Sequence, residues 1–154
     1  MMEVCMSYRV KDYMSRDIVT VNVGVSALEA SKLMAERGIG YLIVLEDAQP
    51  TGIVTERDLV MKVMAKEKDP SKTKVSEFMS APLITIDLDA NVEDAVKTMA
   101  KRGIRRLPII RDNIIYGVFT TRDLTKHFSK YEDRVMRDII NAQALYGTPL
   151  DLSF

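Results

Sequence analysis

Little in this sequence is equipped for covalent or metal chemistry. It holds one cysteine, Cys5, one histidine, His127, and no tryptophan in 154 residues. A lone cysteine excludes an intrachain disulfide, and a reducing cytoplasm is the natural reading. One cysteine and one histidine argue against a conventional zinc site or a Cys–His catalytic pair. An excess of one charge is also missing: Lys+Arg and Asp+Glu are both 22, so no global field draws in nucleic acid or an anionic membrane. Apolar runs such as YLIVL (residues 41–45) are far too short to span a bilayer. The opening MMEVCMSYRVKDYM has no secretory apolar core,. What remains is a soluble globular chain of single-domain length.

What the sequence does have is a phrase written twice. TERDL at residues 55–59 returns as TTRDL at residues 120–124, each behind a glycine-led apolar run, GIV from Gly52 and GVF from Gly117. The same offset of 65 residues relates Val10 to Val75, Met14 to Met79, Thr20 to Thr85, Met34 to Met99, Gly38 to Gly103 and Asp58 to Asp123, with no gap between Val10 and Leu124. Fixed self-similarity marks one structural unit used more than once. Each copy has about 50 residues, a size at which burial is marginal. A pseudo-symmetric pair sharing a core is therefore expected.

Each copy reads as strand, helix, strand, strand, helix. In the second, LITI (residues 83–86) is the short first strand. The helix that follows places Val92, Ala95, Val96, Met99 and Ala100 on one face, with Asn91 as N-cap and Gly103 as stop. The first copy repeats this with Ser26, Ala27, Ala30, Met34, Ala35 and Gly38. YLIVL and LPIIR (residues 107–111) are second strands, and GIVT and GVFT are third strands. Between the copies KEKDPSKTK is a charged linker containing Pro70,.

The repeated phrase thus falls where a buried strand turns into a helix, and it has two readings. In the purely structural one, Thr55 and Thr120 are N-caps with Asp58 and Asp123 completing capping boxes. Ser26 with Glu29, and Asn91 with Asp94, are similar caps. In the functional one, the corner exposes free N–H groups at a positive dipole end suited to phosphate. The threonine hydroxyl donates to a phosphate oxygen, the aspartate accepts from ribose hydroxyls, and Arg57 and Arg122 neutralise charge.

The chain resembles a tandem pair of cystathionine β-synthase-type (CBS) domains. The resemblance covers roughly Val10 to Lys130. It is carried by VKDYMSRDIVTV and VSEFMSAPLITI, by EASKLMAERGIGYLIV and DAVKTMAKRGIRRLPII, and by GIVTERDL and GVFTTRDL. It implies an α/β fold: two βαββα units packed through their sheets, leaving two clefts, plus a C-terminal helical extension. The segments are residues 1–9, unit 1 at 10–65, a linker at 66–74, unit 2 at 75–130 and the extension at 131–154. The implied function is regulatory: an adenosine nucleotide such as AMP, ADP or ATP binds in the clefts and its occupancy is signalled to a partner protein. No cofactor is required and the chain is not an enzyme. The other reading is a constitutive interaction scaffold with empty clefts.

The implied ligand residues are Thr55, Arg57, Asp58, Thr120, Arg122 and Asp123 at the corners. Thr20 and Thr85 belong to the stretches 18–21 and 83–86 that meet the base. Gly40, Tyr41, Arg105, Arg106 and Pro108 mark the second-strand starts. The first copy lacks the proline, so the clefts are expected to differ. Lys101, Arg102, Arg105, Arg106 and Arg111 make the second copy locally basic, read either as a solvated edge or as a phosphate clamp. A nucleic-acid role is disfavoured because no aromatic platform accompanies them. Beyond the second copy, Leu124, Phe128, Tyr131, Val135 and Ile139 continue a helical stripe. It reads as a helix folded back on the core, or as a surface for a homodimer or partner.

Overall fold

The computed structural model describes residues 8–128 and Asn141. The first copy contains β1 (Thr20–Asn22), α1 (Ala27–Arg37), β2 (Tyr41–Glu46) and β3 (Gln49–Thr55). It closes with α2 (Glu56–Asp58), which continues as π-helical turns over Leu59–Met64. The next copy runs α3 (Val75–Phe78), β4 (Ile86–Asp87), α4 (Val92–Arg102), β5 (Arg106–Arg111), β6 (Ile114–Thr120) and α5 (Thr121–Phe128). The fold is α/β, with two three-stranded sheets ordered β1-β2-β3 and β4-β5-β6. In each, the first pair is parallel and the second antiparallel.

The expected caps are built. The Ser26 Oγ accepts from the Glu29 amide at 3.1 Å, and the Asn91 Oδ1 from the Asp94 amide at 2.8 Å. Gly38 and Gly103 end α1 and α4 at φ 63° and 64°, a left-handed conformation that costs glycine no Cβ clash. Val21, Leu42, Val44 and Val54 of the first sheet form a core with Ala27, Ala30 and Met34 of α1, Val63, Val75 and Phe78. Each such large side chain contributes about 1.5–3 kcal/mol when fully buried. Ala35 is exposed rather than part of that stripe.

The compact bodies do not coincide with the two copies. The chain forms two of them: Asp17–Ile84, and a second that joins residues 8–16 to residues 85–128. Within the second body Ser15 and Val118 exchange backbone hydrogen bonds at 3.0 and 2.9 Å. In the Asp17–Ile84 body Ser80 and Ile53 do the same at 2.8 and 3.0 Å. So the segment that precedes each copy's first strand pairs with the third strand of the other copy. Gly52 and Gly117 sit under these crossings. A Cβ at Gly117 would lie 2.6 Å from the Ser15 carbonyl oxygen, and one at Gly52 would lie 2.8 Å from that of Ser80. That is the reason each apolar run opens with glycine.

Two expectations change. The LITI strand overlaps the observed β4 only at Ile86. In the first sheet the parallel ladder opens with the Ile43 amide donating to the Val19 carbonyl at 3.0 Å. The residue matching Ile43 is Pro108, which has no N–H to give, so the second ladder starts one step later, at Ile86 opposite Ile109. The charged linker is also more than a tether. Its Pro70 and Thr73 carbonyls accept from the Leu28 and Ala27 amides at 3.0 and 2.8 Å, satisfying donors that the first turn of α1 leaves without intrahelical partners. The helical extension from residue 131 lies outside the described residues, Asn141 excepted.

Candidate functional site: two strand-to-helix corners

Each copy gathers three backbone ends at one corner: the start of its second strand, the end of its third and the first turn of the next helix. In the first copy Tyr41 and Thr55 are register partners, and the Glu56 amide donates to the Gly40 carbonyl at 3.0 Å. In the second, Arg106 is opposite Thr120, and the Thr121 amide donates to the Arg105 carbonyl at 3.0 Å. Successive strand side chains alternate in face. Leu42 and Val54 enter the helix-side core, so their neighbours Tyr41 and Thr55 occupy the other face. Thr20, level with Ile43, shares that face about 7 Å along the strand. By the same alternation Arg106, Pro108 and Thr120 share a face opposite that of Leu107 and Phe119. Thr85 is exposed and lies just ahead of β4.

The repeated phrase folds the same way twice. Asp58 Oδ2 accepts from the Thr55 amide at 2.9 Å and the Thr55 hydroxyl at 3.1 Å, and the Asp58 amide donates back to Thr55 Oγ1 at 3.2 Å. Asp123 repeats this with Thr120 at 2.8, 2.9 and 3.2 Å. The capping boxes are therefore real, and they narrow what a ligand can use. The threonine hydroxyl directs its single hydrogen at the aspartate, so toward a ligand it is an acceptor. Of the first-turn amides, those of Glu56, Asp58, Thr121 and Asp123 already have acceptors. The amides of Arg57 and Arg122 are the ones left without an acceptor among the described residues. Both arginine side chains are exposed.

The corners differ at the second carboxylate oxygen. Lys62, one turn on from Asp58, places its ammonium 3.0 Å from Asp58 Oδ1 and donates to the Phe78 carbonyl at 3.1 Å. The position matching Lys62 is His127, whose ring lies edge-on to Tyr13 with centroids 5.4 Å apart. Asp123 Oδ1 has no hydrogen-bond or ion-pair partner among the described residues. Sequence reasoning missed Lys62, although an acid and a lysine four apart on a helix is a readable signal.

One basic residue leaves the candidate clamp. Arg111 binds Asp87 at 2.9 Å and Asp89 at 2.5 Å, at the far end of β5 from Arg106. These contacts hold the Asp87 carboxyl below its ordinary range. They hold that of Asp89 at about 2, the Arg111 hydrogen bond first and that of Lys11 next. Arg111 is correspondingly raised by the two aspartates. No cluster of His, Cys, Asp or Glu suited to a metal occurs among the described residues, nor does a helix long and apolar enough to cross a membrane.

Two three-stranded sheets, each ending in a Thr-x-x-Asp corner, match a known pattern. The CBS domain profile fits residues 10–65 and again residues 75–130. The chain belongs to the CBS domain family. An uncharacterised protein from Methanopyrus kandleri is 41% identical over 120 residues, which are 77% of this chain and 61% of that protein; the chain thus spans under two thirds of that relative. Among solved CBS structures, a hexameric CBS-CP12 protein from bloom-forming cyanobacteria has a TM-score of 0.76 at 30% identity, covering 92% of this chain and 81% of its own. The CBS domain pair of protein MJ0100, in complex with 5′-methylthioadenosine and S-adenosyl-L-methionine, has a TM-score of 0.74 at 26% identity, covering 82% of this chain and 99% of its own.

Proposed function

We propose that this CBS domain pair is a regulatory module that binds an adenosine-containing ligand at its strand-to-helix corners and signals occupancy to a partner protein, without catalysing a reaction. The observation that carries the reading is Asp123. One carboxylate oxygen is pinned by Thr120 and the other has no partner among the described residues, a fixed acceptor for a ribose hydroxyl. The adenosine ligands in the MJ0100 complex support the same class. Arg105, Arg106 and Arg122 at that corner favour phosphorylated forms such as AMP, ADP or ATP. Signalling then requires that the ligand bind two states unequally. At 100 times its dissociation constant it stabilises the preferred state by about 2.7 kcal/mol.

Calorimetry with AMP, ADP, ATP, S-adenosylmethionine and 5′-methylthioadenosine tests this. Hydrogen bonds to charged groups are worth about 1.5–3 kcal/mol, so Asp123→Asn should weaken binding roughly ten- to a hundredfold. A cap of this type keeps its polar partner in Asn, so the fold should lose under about 1 kcal/mol. Unchanged binding in Asp123→Asn, or none in the parent, refutes the proposal. A second reading, a constitutive scaffold with empty corners, draws on the exposed Val60, Met61 and Met64 of the π-helical turns that follow α2. Those residues also suit a homodimer. Light scattering of the same samples should then return twice the 17.4 kDa chain mass, with or without ligand if the scaffold reading is right.

A further inference from the structure

Comparing the corners inside one chain isolates a single residue. Thr55 and Thr120 hold their aspartates alike, to within 0.2 Å at each matching bond. What differs is the oxygen left over. Asp58 is almost buried, its side chain 10% exposed, and its Oδ1 faces the Lys62 ammonium, whose side chain is 45% exposed. Lys62 is held from a second side by the Phe78 carbonyl, at the end of α3. It therefore sits between two acceptors, while the second copy offers a histidine that turns to Tyr13.

We propose that Lys62 is a specificity-determining residue: a tethered cation that occupies the diol-binding oxygen of Asp58 and weakens the first corner for adenosine ligands, leaving the second corner as the tighter site. The inference rests on the ligand-binding reading above. A ribose reaching Asp58 must first displace an ammonium that needs no diffusion to return. Its apparent affinity is reduced by the fraction of time the pair is closed. A lysine this exposed is partly screened by water, which limits the ion pair to the upper end of the surface range. The expected handicap is therefore about five- to tenfold in affinity. The lock is also positional. Lys62 lies within the π-helical turns that begin at Leu59, whereas α5 is α-helical throughout Thr121–Phe128.

The test is calorimetry of the full chain with AMP and with 5′-methylthioadenosine, which share the ribose diol but not the phosphate. The parent should show one tighter site per chain that Asp123→Asn weakens. Lys62→Met should add a second site, or strengthen the weak one about five- to tenfold, and Asp58→Asn in that background should remove it. Lys62→Gln repeats the test with a polar side chain, and thermal melting checks that both variants are folded. If the parent binds but both Lys62 variants titrate as the parent does, the lock is wrong and the ligand reading stands. If the parent has no Asp123-dependent site while Lys62→Met gains an Asp58-dependent one, the proposed function and the second corner as its site are overturned, and only the competition of Lys62 for Asp58 stands. Silence from every variant overturns both.

Discussion

Arg111 illustrates how a residue's neighbours decide its role. In the sequence it stands with Arg105 and Arg106 as one basic cluster. On a strand rising about 3.3 Å per residue, Arg106 and Arg111 end up roughly 17 Å apart, and Arg111 meets Asp87 and Asp89 instead. The consequence is a pH dependence. Asp87 and Asp89 have folded pKa values below the ordinary 3.8, that of Asp89 at about 2. Carboxyls depressed in this way stabilise the fold above the unfolded pKa and lose that contribution as pH falls through the folded value. The window is therefore from about pH 4 down to about pH 2. Carboxyl NMR should find Asp89 titrating near 2, with Arg111→Gln returning it toward 3.8 and added salt doing so partially. A parent midpoint already at 3.8 would show that the ion pairs do not persist in solution.

At the scale of elements, the glycines that open the third strands make a sharp demand. At Gly117 a methyl group would press on the Met14 sulfur and the Ser15 carbonyl oxygen, each 2.6 Å away. The sulfur can move, but the backbone oxygen is fixed by its bond from the Val118 amide. Overpacking of this kind costs about 1–3 kcal/mol. Gly117→Ala should therefore lower the urea midpoint with an unchanged slope, while Gly24→Ala, with open space around it, should be neutral. Equal midpoints for the two variants would mean that the Ser15 crossing gives way at little cost. The elements themselves were largely legible. Caps at Ser26, Asn91, Thr55 and Thr120, stops at Gly38 and Gly103, and the four long strands are local signals. The late start of β4 is also local, but it requires seeing that Pro108 stands where its partner's N–H is needed. The crossing was not legible, for a physical reason: in a repeat, the third strands of both copies offer Ser15 an equivalent edge in the sequence pattern, so pattern cannot say which one it pairs with. Nor was the partner of Asp58 apparent, because the capping box already accounted for the carboxylate.

At the scale of the whole molecule, the crossing sets the bounds of the compact bodies. The repeat boundaries suggest residues 10–65 as a unit, but the compact body is Asp17–Ile84. A fragment of residues 10–65 would lose Val75 and Phe78, 0% and 3% exposed in the core of the first sheet. It would also lose the Ser80 pairing with Ile53 and the Thr73 carbonyl that receives the Ala27 amide. Val10 would be retained without Ala90, whose carbonyl accepts its amide at 3.0 Å. Burying Val75 and Phe78 contributes about 1.5–3 kcal/mol each, a large share of the roughly 5–15 kcal/mol that holds a domain together. Residues 17–84 keep every member of that core. The two fragments overlap over 49 residues, the span shared by Asp17–Ile84 and the repeat ending at residue 65, so composition alone does not separate them. Residues 17–84 should unfold in urea as a cooperative transition with dispersed amide resonances. Residues 10–65 should show neither, and adding residues 66–84 to them should restore both. If instead the two fragments melt alike, the segment from Val75 to Ser80 does not complete the first sheet, and each repeat is its own folding unit after all.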